Sequence, residues 1–165
     1  MGVAAMKRRI ERAPLPDPET LRKMLGERAD EIRDGAVLVD GDARGASGVD
    51  LLMVDQNGRP VFIDIVVGDA EAVTARVFEH LAWIEDNRRL FFRAYRNDGL
   101  DEDGCPEIVF ISERFPRGVV RSMKALDGTP VRLLRAEYLI VDGEGELVLE
   151  EVASSEPVAV RSSSG

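Results

Sequence analysis

Apolar and polar positions along this chain follow two periods, and each change of period marks an element. Leu21, Met24, Leu25, Ala29 and Ile32 recur at helical spacing after Asp17-Pro18-Glu19. That tripeptide supplies a capping carboxylate, a proline at the first helical position and an acid in the first turn. The spacing predicts one helix ending at Asp34-Gly35. Residues 36–40 form a short β-like run, and 41–48 a flexible loop. Two apolar runs follow, 49–54 and 60–67, joined by Asp55-Gln56-Asn57-Gly58-Arg59. The Asn-Gly pair is a hairpin signal, since it supplies positive φ angles. The run Val61-Phe62-Ile63-Asp64-Ile65-Val66-Val67 is almost wholly apolar, as expected of a central strand covered on both faces.

Val73, Val77, Leu81 and Ile84 predict a helix over 70–87 with one buried stripe. A short strand at 90–93, a polar loop at 97–106, a strand at 108–111, a helix at 118–126 and a strand at 131–134 follow. Residues 138–141 and 147–150 flank a second hairpin turn, Asp142-Gly143-Glu144-Gly145. The organisation expected is a flexible arm over 1–16, a single domain over 17–152 and a Ser-rich disordered tail over 153–165. The fold class expected is α/β, with a mixed central sheet of about five strands and helices on both faces.

Composition narrows the functions. With 165 residues, 44% hydrophobic and 32% charged, the chain suits a soluble globular domain with a real core. Its net charge of −9 opposes non-specific attraction to nucleic acid, which rests on Lys and Arg neutralising phosphates. A nucleic-acid partner therefore needs a local basic patch; a protein partner or homo-oligomer has no such requirement. No apolar run approaches a membrane span, and Met1–Arg12 lacks the apolar stretch of a secretory signal. A cytoplasmic location is the expectation. The single Cys105 excludes an internal disulfide and a multi-cysteine metal site.

Two acids stand out. Asp50 opens the first apolar run and Asp64 sits inside the second. Side chains alternate along a strand, so Asp64 shares a face with Phe62 and Val66. An aspartate among apolar neighbours must be paired, protonated or bound to a cation. Two converging carboxylates are a way to hold Mg²⁺ or Mn²⁺.

At these residues the chain resembles the PD-(D/E)XK, or restriction-endonuclease-like, nuclease superfamily, and within it the RecB-like and NucS-like domains. The family pattern is an Asp opening an apolar strand, a turn, an apolar strand bearing (Asp/Glu)-X-Lys, and a helix often carrying Gln and Tyr four residues apart. Asp50 and Asp64 match the two acids. Ile65 matches X, whose carbonyl completes the metal shell. Arg76 and His80 fall near the Gln and Tyr positions. The layout match spans roughly 18–150. The resemblance implies a restriction-endonuclease-like core, a metal set of Asp50, Asp64 and Ile65, and catalytic roles for Asp50, Asp64, Arg76 and His80.

The lysine position holds Val66, which neither activates water nor stabilises a phosphorane. No lysine lies between Lys23 and Lys124. Arg44, Arg76 or Lys23 are the candidate replacements, though an arginine stays protonated and does not act as a base. The expected function is a degenerate nuclease-like domain without cleavage, acting as a binding or assembly module linked to DNA metabolism. The alternatives are an active Mg²⁺- or Mn²⁺-dependent nuclease with a relocated basic residue, and a purely structural homo-oligomer.

Plainer readings stand beside these. Asp50 can cap a strand start or bond to loop amides, and Asp64 can form an ion pair with Arg76 or Arg44. Asp40 and Asp42 read as solvated loop acids, His80 as a helix-face residue and Trp83 as packing. Arg88, Arg89, Arg93 and Arg96 lie among Phe91, Phe92 and Tyr95. That mixture can bind single-stranded nucleic acid; the plainer reading is a strand edge over core aromatics.

Overall fold

The computed structural model describes residues 7–44, 48–68, 70–126, 128 and 130–155. Residues 1–6, and the part of the expected tail from 156 onward, lie outside the described residues. Among the described residues, seven strands and four α-helices make a mixed α/β domain. The strands are β1 (Ile10–Ala13), β2 (Val37–Asp40), β3 (Leu51–Val54), β4 (Pro60–Ile65), β5 (Glu107–Ser112), β6 (Val131–Val141) and β7 (Glu144–Ser154). The helices are α1 (Pro18–Glu27), α2 (Ala29–Ile32), α3 (Val73–Ala94) and α4 (Arg117–Ala125).

All seven strands share one sheet. β2, β3 and β4 are antiparallel neighbours, while β4, β5 and β6 run parallel. β7 returns antiparallel along almost all of β6. β5 pairs with the first half of β6 and β1 with Tyr138–Val141, so both lie along the edge of β6 opposite β7. Alternation along the strands divides the core into two faces. Leu51, Met53, Ile63, Ile65, Val109 and Ile111 pack against Leu21, Leu25 and Ile32 of α1 and α2. On the other face Phe110 and Val66 pack against Val73 and Val77 of α3 and Val119 and Met123 of α4. Leu52 and Phe62 meet Ile84, Phe91 and Phe92 near the end of α3. Each such side chain contributes roughly 1.5–3 kcal/mol by leaving water.

The local signals act as the sequence requires at several points. The Asp17 carboxylate accepts from Thr20 N–H at 3.0 Å and caps α1. In the first hairpin only Gly58 takes a positive φ (81°), not Asn57 as well. Asp55 Oδ1 accepts from the N–H groups of Asn57 (2.9 Å) and Arg59 (3.0 Å), so an aspartate turn does part of the work expected of Asn-Gly. In the second hairpin Asp142 (φ 52°) and Gly143 (φ 85°) form a two-residue turn, shorter than the four residues expected.

Four expectations are corrected. The first helix breaks at Arg28, which leaves the helical region at φ −114°, ψ 30°. Residues 90–93 are not a strand; they are the last turns of α3, whose periodicity carries on from Ile84 to buried Phe91. The runs 131–134 and 138–141 are one eleven-residue strand, β6. Part of the expected arm, Ile10–Ala13, is β1, and the first residues of the expected tail, Ala153 and Ser154, end β7. The sheet has seven strands where about five were expected.

Candidate functional site

Asp50 and Asp64 come together at one end of the β3–β4 pair. Asp50 N–H donates to Ile63 C=O at 2.9 Å, and Leu51 lies opposite Ile63, so the ladder places Asp50 across from Asp64. The Asp50 carboxylate turns back onto the backbone: Oδ2 accepts from Ile65 N–H at 2.8 Å. Its Oδ1 lies 3.7 Å from Arg22 Nη1 on α1. Burial raises the Asp50 carboxyl above its ordinary value, the Ile65 N–H bond opposes this, and the neighbouring Asp64 charge adds to the rise.

Asp64 is 4% exposed. It stands between Phe62 and Val66 on its face of β4 and opposite Phe110 of β5. Both carboxylate oxygens are engaged. Oδ1 accepts from Arg76 Nη1 at 3.1 Å, and Oδ2 from His80 Nε2 at 2.7 Å. The two donors sit one turn apart on α3, the spacing that puts side chains on one helix face. The His80 ring is itself buried, 6.0 Å from the Phe110 ring. With Asp64 ionised, the short contact requires the proton on His80 Nε2.

The other candidates scatter. Val66, at the position where the resemblance expects a lysine, is 3% exposed and packs with Val73 and Val77. Ile65 is tied to Asp50 through its N–H. Lys23 is exposed on α1, whereas its neighbour Arg22 faces Asp50. Arg44 pairs with Asp42 at 2.7 Å, which lowers the Asp42 carboxyl to about 2, and its charge also reaches Asp50. Asp40 does not join the acid pair; it accepts from the Tyr95 hydroxyl at 2.8 Å. Burial and that bond push Tyr95 up to about 12. Trp83 packs edge-on against Phe91 at 6.2 Å. Cys105 is exposed. Arg88, Arg89 and Arg93 belong to α3 rather than to a strand edge, and Arg88 covers the Phe92 ring at 5.2 Å. Among the described residues no group of three or more His, Cys, Asp and Glu side chains is assembled for a metal ion. No helix there is long and apolar enough to cross a membrane.

Sequence reasoning missed a second charge centre at the other end of the sheet. Glu107, the first residue of β5, is fully buried. Arg132 Nη2 lies 2.9 Å from its carboxylate and Arg59 Nη1 3.6 Å, and Arg33 also bonds to it. The only local signal was an acid at the head of an apolar strand, and its partners come from three distant segments.

Comparison with family models, with curated proteins and with solved structures returns no match to this chain.

Proposed function

We propose that this chain is a nuclease-like α/β domain that does not cleave and instead serves as a binding or assembly module. The pairing of Asp64 carries the reading. Where the resemblance implies a metal ligand, both carboxylate oxygens accept from side chains of α3, one of them an arginine. A divalent ion at Asp64 would sit beside the Arg76 guanidinium. Each pair of like unit charges at 4 Å costs roughly 4 kcal/mol at an effective dielectric of about 20. The residues present therefore do not fit Mg²⁺ or Mn²⁺, and no reaction step is routed through one.

The lysine position supports the same reading. Val66 supplies no charge to a transition state, and its burial under α3 leaves it no path to a phosphate. The leading helix α1, the acid-bearing hairpin, α3, β5 and β6 stand in the order that a restriction-endonuclease-like core implies. That order supports the kinship and leaves the question of activity to the pairing of Asp64 and to Val66.

The test is incubation of the full chain with labelled single- and double-stranded DNA and RNA in Mg²⁺ and in Mn²⁺. No product above a protein-free control is expected. Metal-dependent cutting that disappears in Asp64→Asn would overturn the proposal.

A further inference from the structure

Between the last turns of α3 and the loop that follows lies a cleft of about 580 Å³. Arg88, Arg89, Arg93 and Arg96 line it, with Glu102 the one acid in the lining. Among the described residues, no ion pair within the chain engages any of these four guanidiniums. Arg88 covers the Phe92 ring and donates to the Glu102 carbonyl, contacts that fix its position and leave its charge unbalanced. Arg89 and Arg93 stand one turn apart and share a stripe of the helix. Arg8, Arg114, Arg117 and Arg121 also lack an ion pair among the described residues. The hollow that takes in Arg114 is close to balanced, however: Arg12 and Arg135 line it too, and so do Glu113 and Glu137.

We infer that this cleft binds a small ligand carrying two or more linked phosphates. Four guanidiniums against one carboxylate leave an excess of three positive charges in one concavity, on a chain whose net charge is −9. A cleft lined by one sign of charge focuses the field and concentrates ions of the opposite sign. The C-terminal end of α3 carries about half a negative charge, which offsets only a fraction of the excess. The guanidinium fork meets phosphate oxygens through paired hydrogen bonds. A single carboxylate would leave two of the three charges unmet, whereas linked phosphates supply enough negative charge for all of them. The volume is that of a small-molecule site. Leu90, 69% exposed, also lines the cleft and offers apolar contact to an organic body attached to the phosphates.

A nucleic-acid strand fits the cleft less well. Exposed acids flank the arginines on both sides along the chain: Glu79, Glu85 and Asp86 before them, Asp98, Asp101 and Asp103 after. The aromatic ring in the lining, Phe92, is 3% exposed and gives bases no platform to stack on. The cleft is also remote from the acid pair, since Arg76 and Arg89 are 13 residues apart on α3, about 20 Å along its axis. The inference rests on the binding half of the proposed function and not on the state of Asp64. An inert chain that ignores linked phosphates refutes this inference alone, while a chain that binds them and also cuts DNA refutes only the reading of Asp64.

The experiment is calorimetric titration of the full chain with sodium triphosphate, and separately with ATP, in buffer containing EDTA, with circular dichroism to confirm folding. One-to-one binding that weakens as salt rises is expected. A hundredfold excess over the dissociation constant should raise the melting temperature by about 5 °C or more. Tighter binding of ATP assigns the cleft to a nucleotide; equal or weaker binding assigns it to the phosphates alone. Arg89→Glu/Arg93→Glu is expected to raise the dissociation constant by about tenfold or more. Should that reversal unfold the chain, Arg89→Gln/Arg93→Gln keeps a helix former at both positions and is expected to weaken binding in the same direction. Arg117→Glu/Arg121→Glu, which removes two equally unpaired arginines from α4, is expected to bind as the wild type does. No saturable binding, or an equal loss in the α4 variant, would overturn the inference. So would a single-stranded oligonucleotide that binds more tightly than triphosphate and loses its binding in Arg89→Glu/Arg93→Glu.

Discussion

Asp64→Asn separates an ion-paired network from a metal centre by the sign of its effect on stability. In the network, the carboxylate satisfies buried His80 at 2.7 Å and Arg76 at 3.1 Å. An asparagine keeps one acceptor oxygen and presents an amide to the other donor. Breaking a fully buried ion pair costs about 3–5 kcal/mol. Arg76, however, is 38% exposed along its side chain and rehydrates, so its share is discounted. The remaining cost is a weakened bond to His80, about 1–3 kcal/mol. Relief from the adjacent Asp50 charge offsets part of it. The net expectation is a loss of about 1–2 kcal/mol, or roughly 2–8 °C in melting temperature for a domain of this size. Urea denaturation monitored by circular dichroism reads this directly, and a matching change in midpoint at constant slope confirms it. A metal centre lacking its ion predicts the opposite, since removing one of two crowded carboxylates would stabilise the chain. An unchanged or higher midpoint in metal-free buffer would therefore refute the network.

At the other end of the sheet, Glu107→Gln leaves three arginines around a neutral group at a fully buried position; a loss of about 3–5 kcal/mol in urea denaturation is expected. Because the Asp50 carboxyl is raised in the fold, its ionisation opposes folding. The wild type should lose stability relative to Asp50→Asn as pH rises from 3.8 through the raised value, and a flat difference would contradict this. Tyr95 should give a tyrosinate absorbance step near pH 12 that is absent from Tyr95→Phe, and the stability its raised value confers is complete below pH 10 and lost as pH climbs through about 12. Gly58→Ala places a Cβ 3.1 Å from Gly99 C=O at φ +81°, so a loss above about 1 kcal/mol is expected in thermal melts.

Alternation and register make the meeting of Asp50 and Asp64 legible in the sequence. Asp64 belongs to an apolar strand, Asp50 opens the strand beside it, and a hairpin of known length sets one across from the other. The i, i+4 spacing likewise put Arg76 and His80 on one helix face. Arg22 was missed in favour of Lys23 because one residue is about 100° of helix rotation, and only packing fixes which of the two faces the sheet. Phe91-Phe92 looked like a strand because both rings are apolar; the longer period from Ile84 is what holds them in α3. The interior of β6 was split by Arg135 and Glu137, which lie on a half-buried stretch where cross-strand pairing with β7 decides. Glu107 was invisible because no local pattern announces partners from residues 33, 59 and 132.

Calorimetric titration of the folded chain with Mn²⁺ at neutral pH and low ionic strength addresses the central claim, that arginine and histidine occupy the place of a metal at Asp64. No saturable heat beyond that of buffer is expected, for wild type and Asp64→Asn alike. A one-to-one binding isotherm in the wild type that Asp64→Asn removes would contradict it.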